Sequence, residues 1–374
     1  MPQLVFVHGV ATRADADYAL AVANRNTFYR ELVFDGNPVD IYSPMWGTFV
    51  APIPPEVFQT NTDIATFSLN LPLLTGLDGG LGSTGGKTSD LSIVALGQQD
   101  PVAALDAICS EIADKAMSQK RPLSGEELQA FRNAFALIAS EQSASLFPAD
   151  ATAQSVSDRL KEGTDGTFSI GSAISNAISA VTGRISNAAS TLGFDAVRGS
   201  LSPAIGLFMG DVFVYLKEGK TRNAIQDVIR GDLMRAYSAK KAAKGPLIVV
   251  GHSMGGVILT DMLTNPEAAG LPKDIEVDAL FTVGSQPGLF AALGVLSSNL
   301  PAGSPRRRPE CVKHWFNVFD PIDPLAFRAD MIYAGAEDVM FNSVAGITDT
   351  HSKYFQRPQF YARTRARLKA SGIL

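Results

Sequence analysis

The sequence predicts an α/β protein: a mostly parallel sheet flanked by helices, with a large, mainly helical cap or lid inserted into it. Three observations carry that expectation. Near both ends of the chain, short apolar runs alternate with amphipathic stretches, as in strand–helix units buried on both faces. One such run, Leu247–Val250, leads straight into Gly251-His-Ser-Met-Gly-Gly256, a glycine-crowded turn opening a helix. The middle of the chain abandons this pattern, with only five charged residues between Gly47 and Gln99.

The elements follow in order. Leu4–Val7 reads as a strand ending at His8-Gly9, and Asp15 to Leu32 as a helix. Val39–Tyr42 reads as a second strand, stopped by Ser43-Pro44. The insertion begins at Gly47. It holds a proline-rich piece, a glycine-rich loop (Gly76–Asp90), helical sequence from Pro101 to Ser145, an Ala/Ser/Gly-rich stretch and an apolar helix over Pro203–Tyr215. Regular patterning returns with a helix over Asn223–Ala243, whose late basic residues suit the helix dipole. Strands then fall at Leu247–Val250, Ala279–Val283 and His314–Phe319, and helices at Gly255–Thr264 and Gln359–Lys369. The expected division is a core of 1–46 and 223–374 with the insertion at 47–222.

Composition narrows the function classes. The net charge of -5 gives no electrostatic reason for nucleic-acid binding. Two cysteines, Cys109 and Cys311, do not make a disulfide framework. No basic leader opens the chain, and no apolar run approaches the ~18 residues a bilayer span needs. The expectation is a soluble, cytoplasmic protein, with contact to a membrane surface through the insertion left open. No cysteine–histidine spacing suggests zinc, and no cofactor or metal is expected. Gly86-Lys-Thr resembles the end of a phosphate loop, but the glycine that motif needs is replaced by Leu81. The weak charge of the insertion has two readings: packing of apolar helices on one another, or the walls of an apolar cleft.

Ser253 is the candidate nucleophile. In G-x-S-x-G the chain turns sharply from strand to helix, and glycines at 251 and 255 remove side chains that would collide. A serine hydroxyl needs a base, and only four histidines exist. His8 follows the first strand and is expected to brace its loop. His252 adjoins the serine but points away from its hydroxyl. His314 opens a strand. His351, in a polar loop late in the chain, is the expected base. The acid that orients it is Asp323 or Asp320, in Phe319-Asp-Pro-Ile-Asp-Pro; Asp323 is favoured for its reach, and either can be a turn former. Oxyanion donors are expected at the backbone of Met254 and of the loop after the first strand, Gly9 and Val10.

The VFVHG opening, GHSMGG, Asp-Pro-Ile-Asp-Pro and His351, in the order Ser…Asp…His, resemble an α/β-hydrolase. GHSMGG with TVGSQPGLF (Thr282–Phe290) and Asp-Thr-His-Ser-Lys-Tyr is similar to the bacterial serine esterase/lipase-like branch. The resemblance covers roughly 1–46 and 223–374. It departs from the family in starting on the His-Gly strand, which implies a trimmed sheet. It implies a serine carboxylic-ester hydrolase acting on an apolar acyl ester, a small molecule or a lipid. A lipase or phospholipase with an interfacial lid, and a non-catalytic ligand-binding protein on the same scaffold, are the alternatives.

Overall fold

The computed structural model describes residues 1–10, 12–50, 93–160, 174–181, 210–296, 304–341 and 350–374. The proline-rich and glycine-rich pieces of the insertion, most of its Ala/Ser/Gly-rich stretch and the start of the Pro203–Tyr215 helix lie outside these residues.

Six strands form one all-parallel sheet: β1 (Gln3–Val7), β2 (Asp40–Tyr42), β3 (Leu247–His252), β4 (Val277–Val283), β6 (Val312–Phe319) and β8 (Ala336–Met340). Their order is β2-β1-β3-β4-β6-β8. Two further strands, β5 (Arg306–Arg307) and β7 (Tyr333–Ala334), pair separately. β8 has no counterpart in the sequence reading. Its residues, AEDVM, are short and acidic, as befits a sheet edge with one side in water.

The alternation of side chains sorts the core into two layers. Leu4, Phe6, Ile248, Val250 and Phe281 face one cluster, and Val5, Val7, Leu247, Val249 and Leu280 face the other. The first cluster is closed by α1 (Ala16–Phe28) and by α3 (Pro101–Ser118), α4 (Gly125–Ala139) and α5 (Ala153–Leu160), with α2 (Ile93–Gln99) packed among them. The second is closed by α6 (Lys220–Ala243) and α7 (Met254–Thr264), with α8 (Pro287–Ala292) beside them. The last helix, α9 (Pro358–Ala370), returns to the first face against α4. The insertion's helices α2 to α5 thus belong to the layer over the first face, whereas its later residues Val212 and Tyr215 pack into the second cluster.

Local chemistry sets several boundaries. Asp15 caps α1 by accepting from the Tyr18 N–H at 2.7 Å. α1 then runs into a π-turn over Tyr29–Val33, so the helical stretch expected up to Leu32 changes its winding after Phe28. Ser124 and Glu127 form a reciprocal capping box at the start of α4. Among the described residues no helix is long and apolar enough to cross a membrane.

Candidate active site

The strand order creates a place for a ligand. From β1 the chain moves outward to β2, whereas from β3 it moves the other way to β4. α1 then covers one face and α7 the opposite one. Adjacent parallel strands whose connections diverge leave a crevice beyond their C-terminal ends. His8 and Gly9 follow β1 there, and Ser253 follows β3.

Ser253 has φ 51° and ψ -127°, a conformation that costs a non-glycine residue roughly 1–3 kcal/mol. The neighbouring glycines make the turn possible. A β-carbon on Gly251 would lie 2.5 Å from Gly256 Cα, and one on Gly255 would lie 2.3 Å from the Val7 carbonyl oxygen. The Ser253 N–H donates to the Val283 carbonyl at 2.9 Å, and Ser285 Oγ donates to the Ser253 carbonyl at 2.6 Å. The turn is therefore anchored to the end of β4. Met254 opens α7, whose first N–H groups lack i−4 acceptors; that of Gly256 turns back to the Ser253 carbonyl at 3.0 Å.

Of the two candidate acids, Asp323 is the one bonded to His351. His351 Nδ1 donates to Asp323 Oδ2 at 2.9 Å, with Oδ1 at 3.1 Å. Asp323 also accepts from the Leu325 N–H at 2.9 Å and from the Tyr354 hydroxyl at 2.9 Å. Burial pushes the Asp323 pKa up, but the bonds and charge of His351, with those from Leu325 and Tyr354, outweigh it and hold the carboxyl below its ordinary value. Asp320 is also buried and has a turn role: its Oδ1 accepts from the Ile322 N–H at 3.0 Å.

His351 Nε2 and Ser253 Oγ are both buried and carry no hydrogen bond. They do not bond to each other in this resting arrangement. Were the two a nucleophile and its base, a loose contact before substrate arrives would be ordinary.

Three residues that the sequence did not single out for the site hold it together. Tyr354 accepts from the Asp320 N–H at 3.0 Å while donating to Asp323, so its hydroxyl has one orientation. His252 Nε2 donates to the His351 carbonyl at 2.8 Å, which ties the histidine loop to the serine turn. Burial, and then the charge of His351, lower the His252 pKa to about 3, so its ring stays neutral. Trp46 stacks on His8 at 5.0 Å, donates its indole N–H to the His8 carbonyl at 2.8 Å and its backbone N–H to His8 Nε2 at 3.2 Å. That leaves His8 Nδ1 to donate to the Gly9 carbonyl at 2.7 Å. Burial lowers the His8 pKa to about 4, against the opposing effect of the Gly9 bond. His8 braces the loop as a neutral ring. Its adjacency to Gly9 was the available signal; Tyr354 stands in the Asp-Thr-His-Ser-Lys-Tyr motif without a role read for it, and nothing local announced Trp46.

The insertion also reaches the site. Asp106, Ser110 and Asp114 recur every fourth residue on α3 and so share one face. Asp106 Oδ1 accepts from the Gln359 N–H at 3.1 Å, Ser110 donates to Gln356 at 3.0 Å, and Asp114 pairs with Lys353. All three partners lie just beyond His351 in the chain.

Among the described residues no group of three or more His, Cys, Asp or Glu side chains is placed to hold a metal. His314 lies within β6, stacked on Phe316 and away from this cluster. Cys109 is a buried core thiol, and Cys311 donates to the Leu263 carbonyl at 3.3 Å. In comparisons with protein-family models, curated proteins and solved structures, nothing matches this chain.

Proposed function

We propose that the protein is a serine carboxylic-ester hydrolase of α/β-hydrolase type, acting on an ester with a largely apolar acyl part. The observation that carries this reading is a strained Ser253 and an Asp323-bound His351 held together at the C-terminal ends of the strands, with serine Oγ and imidazole Nε2 both buried and unpartnered. Strained backbone persists where the surroundings over-determine it, and it clusters at functional sites.

In this mechanism Ser253 Oγ attacks the ester carbonyl carbon as His351 Nε2 takes its proton. The carbonyl oxygen becomes an oxyanion held by the N–H groups of Met254 and of the Gly9–Val10 segment. The C–O bond to the alcohol breaks, and His351 returns the proton to the leaving alkoxide. Water then attacks the acyl-serine, His351 again taking and returning a proton, and the free acid leaves. Asp323 keeps Nδ1 protonated and stabilises the imidazolium.

The test is hydrolysis of 4-nitrophenyl esters from acetate to palmitate, with Ser253→Ala as the blank, together with labelling by a fluorophosphonate. The expected loss on Ser253→Ala is up to ~10⁶ in turnover. Labelling that persists in Ser253→Ala, or no Ser253-dependent turnover or labelling at all, sinks the assignment. The second outcome leaves a ligand-binding role for the scaffold.

A further inference from the structure

A cavity of about 270 Å³ opens at the C-terminal ends of β1 and β3, bordered by Gly9 and His252 on one side and by α1 and α3 on others. Gly9 is also the residue packed against Ser253: a β-carbon there would lie 2.8 Å from Ser253 Cβ. The cavity therefore adjoins the nucleophile's immediate neighbour. Its walls are mainly apolar, including Phe28, Met117 and Phe355. One cation interrupts them.

That cation is Arg25, which is 7% exposed. Its Nη2 donates to Asn26 Oδ1 at 2.9 Å and to Ser43 Oγ at 2.7 Å, and its Nε to Asn26 Oδ1 at 3.3 Å. The guanidinium carbon lies 3.6 Å from the centre of the Phe6 ring. Every one of these partners is neutral. No carboxylate pairs with Arg25 among the described residues, and the titratable groups that favour its charge are the phenols of Tyr18, Tyr29 and Tyr361. The Tyr18 side chain lines the same cavity, its hydroxyl beside the guanidinium as a neutral hydrogen-bond partner. Other charges do not balance the site: Arg13 is paired with Asp211 at 3.1 Å.

A buried charge without a counterion is costly, by several kcal/mol even after relaxation. Chains keep such a group where something else supplies the opposite charge. We infer that the cavity takes a carboxylate carried on one arm of the substrate, with Arg25 as its specificity-determining anchor. The preferred esters are then those in which an apolar spacer separates the scissile bond from a free carboxylate. A carboxylate fits better than a phosphate because one cation, with no carboxylate partner among the described residues, matches one negative charge, and the remaining walls suit methylenes rather than a dianion. The inference rests on the ester-hydrolase reading of Ser253.

The experiment compares 4-nitrophenyl esters of dicarboxylic acids, from succinate to sebacate, with the same esters methylated at the far carboxylate. It is repeated with the carboxylate on the alcohol arm. The wild type is expected to favour the free carboxylate by on the order of 10²-fold in kcat/KM at the fitting length, and Arg25→Gln to abolish that ratio. The methylated ester is the internal reference for folding. Should Arg25→Gln not fold, Arg25→Lys replaces it and is expected to lower the ratio by about tenfold, since an ammonium lacks the guanidinium's planar fork. Equal rates for free and methylated esters at every length and on both arms overturn the inference, as does a preference undiminished in the variant. If neither ester is turned over in a Ser253-dependent way, the hydrolase reading has failed, and calorimetry of the free dicarboxylates decides the cavity separately. Binding to Ser253→Ala that weakens on adding Arg25→Gln supports the anchor; equal or absent binding overturns it.

Discussion

Gly9 and Ser253 touch across a missing side chain: a β-carbon at position 9 would stand 2.8 Å from Ser253 Cβ and 3.3 Å from the His252 carbonyl oxygen. The loop after β1 and the turn after β3 are therefore mutually fixed. Gly9→Ala must displace one of them. The expected result is a drop in kcat on the order of 10²-fold, the size of losing an oxyanion donor, with KM little changed. Steady-state kinetics and a thermal melt check this; a variant with native kcat would remove Gly9 from the site.

The acid is decided by side-by-side amides. Asp323→Asn is expected to lower kcat by about 10⁴-fold, because an amide can no longer hold the required His351 tautomer. Asp320→Asn keeps an oxygen for the Ile322 N–H and is expected to cost less than tenfold. Equal collapse of both variants would contradict the geometry.

Tyr354→Phe removes a donor to Asp323 and leaves the buried Asp320 N–H without its acceptor. The expected destabilisation is about 1–3 kcal/mol by urea titration. It also has a pH signature. Asp323 has a depressed pKa in the folded protein, so its contribution is present above the ordinary carboxylate range and is lost as pH falls through the folded value. Losing the Tyr354 bond raises that folded value. The acid unfolding midpoint should move to higher pH, and an unmoved midpoint would count against the Tyr354 bond.

The two buried imidazoles give a broader pH dependence. His8, near 4, and His252, near 3, stay neutral in the folded protein while an unfolded histidine takes up a proton near 6.5. The stability they allow is complete above about pH 6.5 and is lost as pH falls towards their folded values, by up to about 1.4 kcal/mol per pH unit for each ring. Urea titrations between these limits should show the slope, and His8→Gln should flatten it even though the variant is less stable at neutral pH.

By itself the sequence determined the strand–helix alternation, the serine turn and a late histidine, because each is written in local spacing. Apolar runs bounded by glycine, or for β6 by Asp320-Pro321, placed β1, β3, β4 and β6 to within about two residues. β8 escaped because a short acidic edge strand has no apolar signature. Only the tertiary structure decided which aspartate meets His351, since Asp320 and Asp323 sit in near-identical Asp-Pro turns and differ in where the chain carries them. It alone decided that α3, deep in the insertion, clasps the segment following His351, and that Tyr354, His252 and Trp46 orient the site. It alone set Arg25 in an apolar cavity beside Gly9 with no carboxylate partner among the described residues. The reason is common to all of these. Spacing along a chain fixes which face of an element a residue occupies, whereas a charge's partner is set by what the fold brings opposite it, often hundreds of residues away.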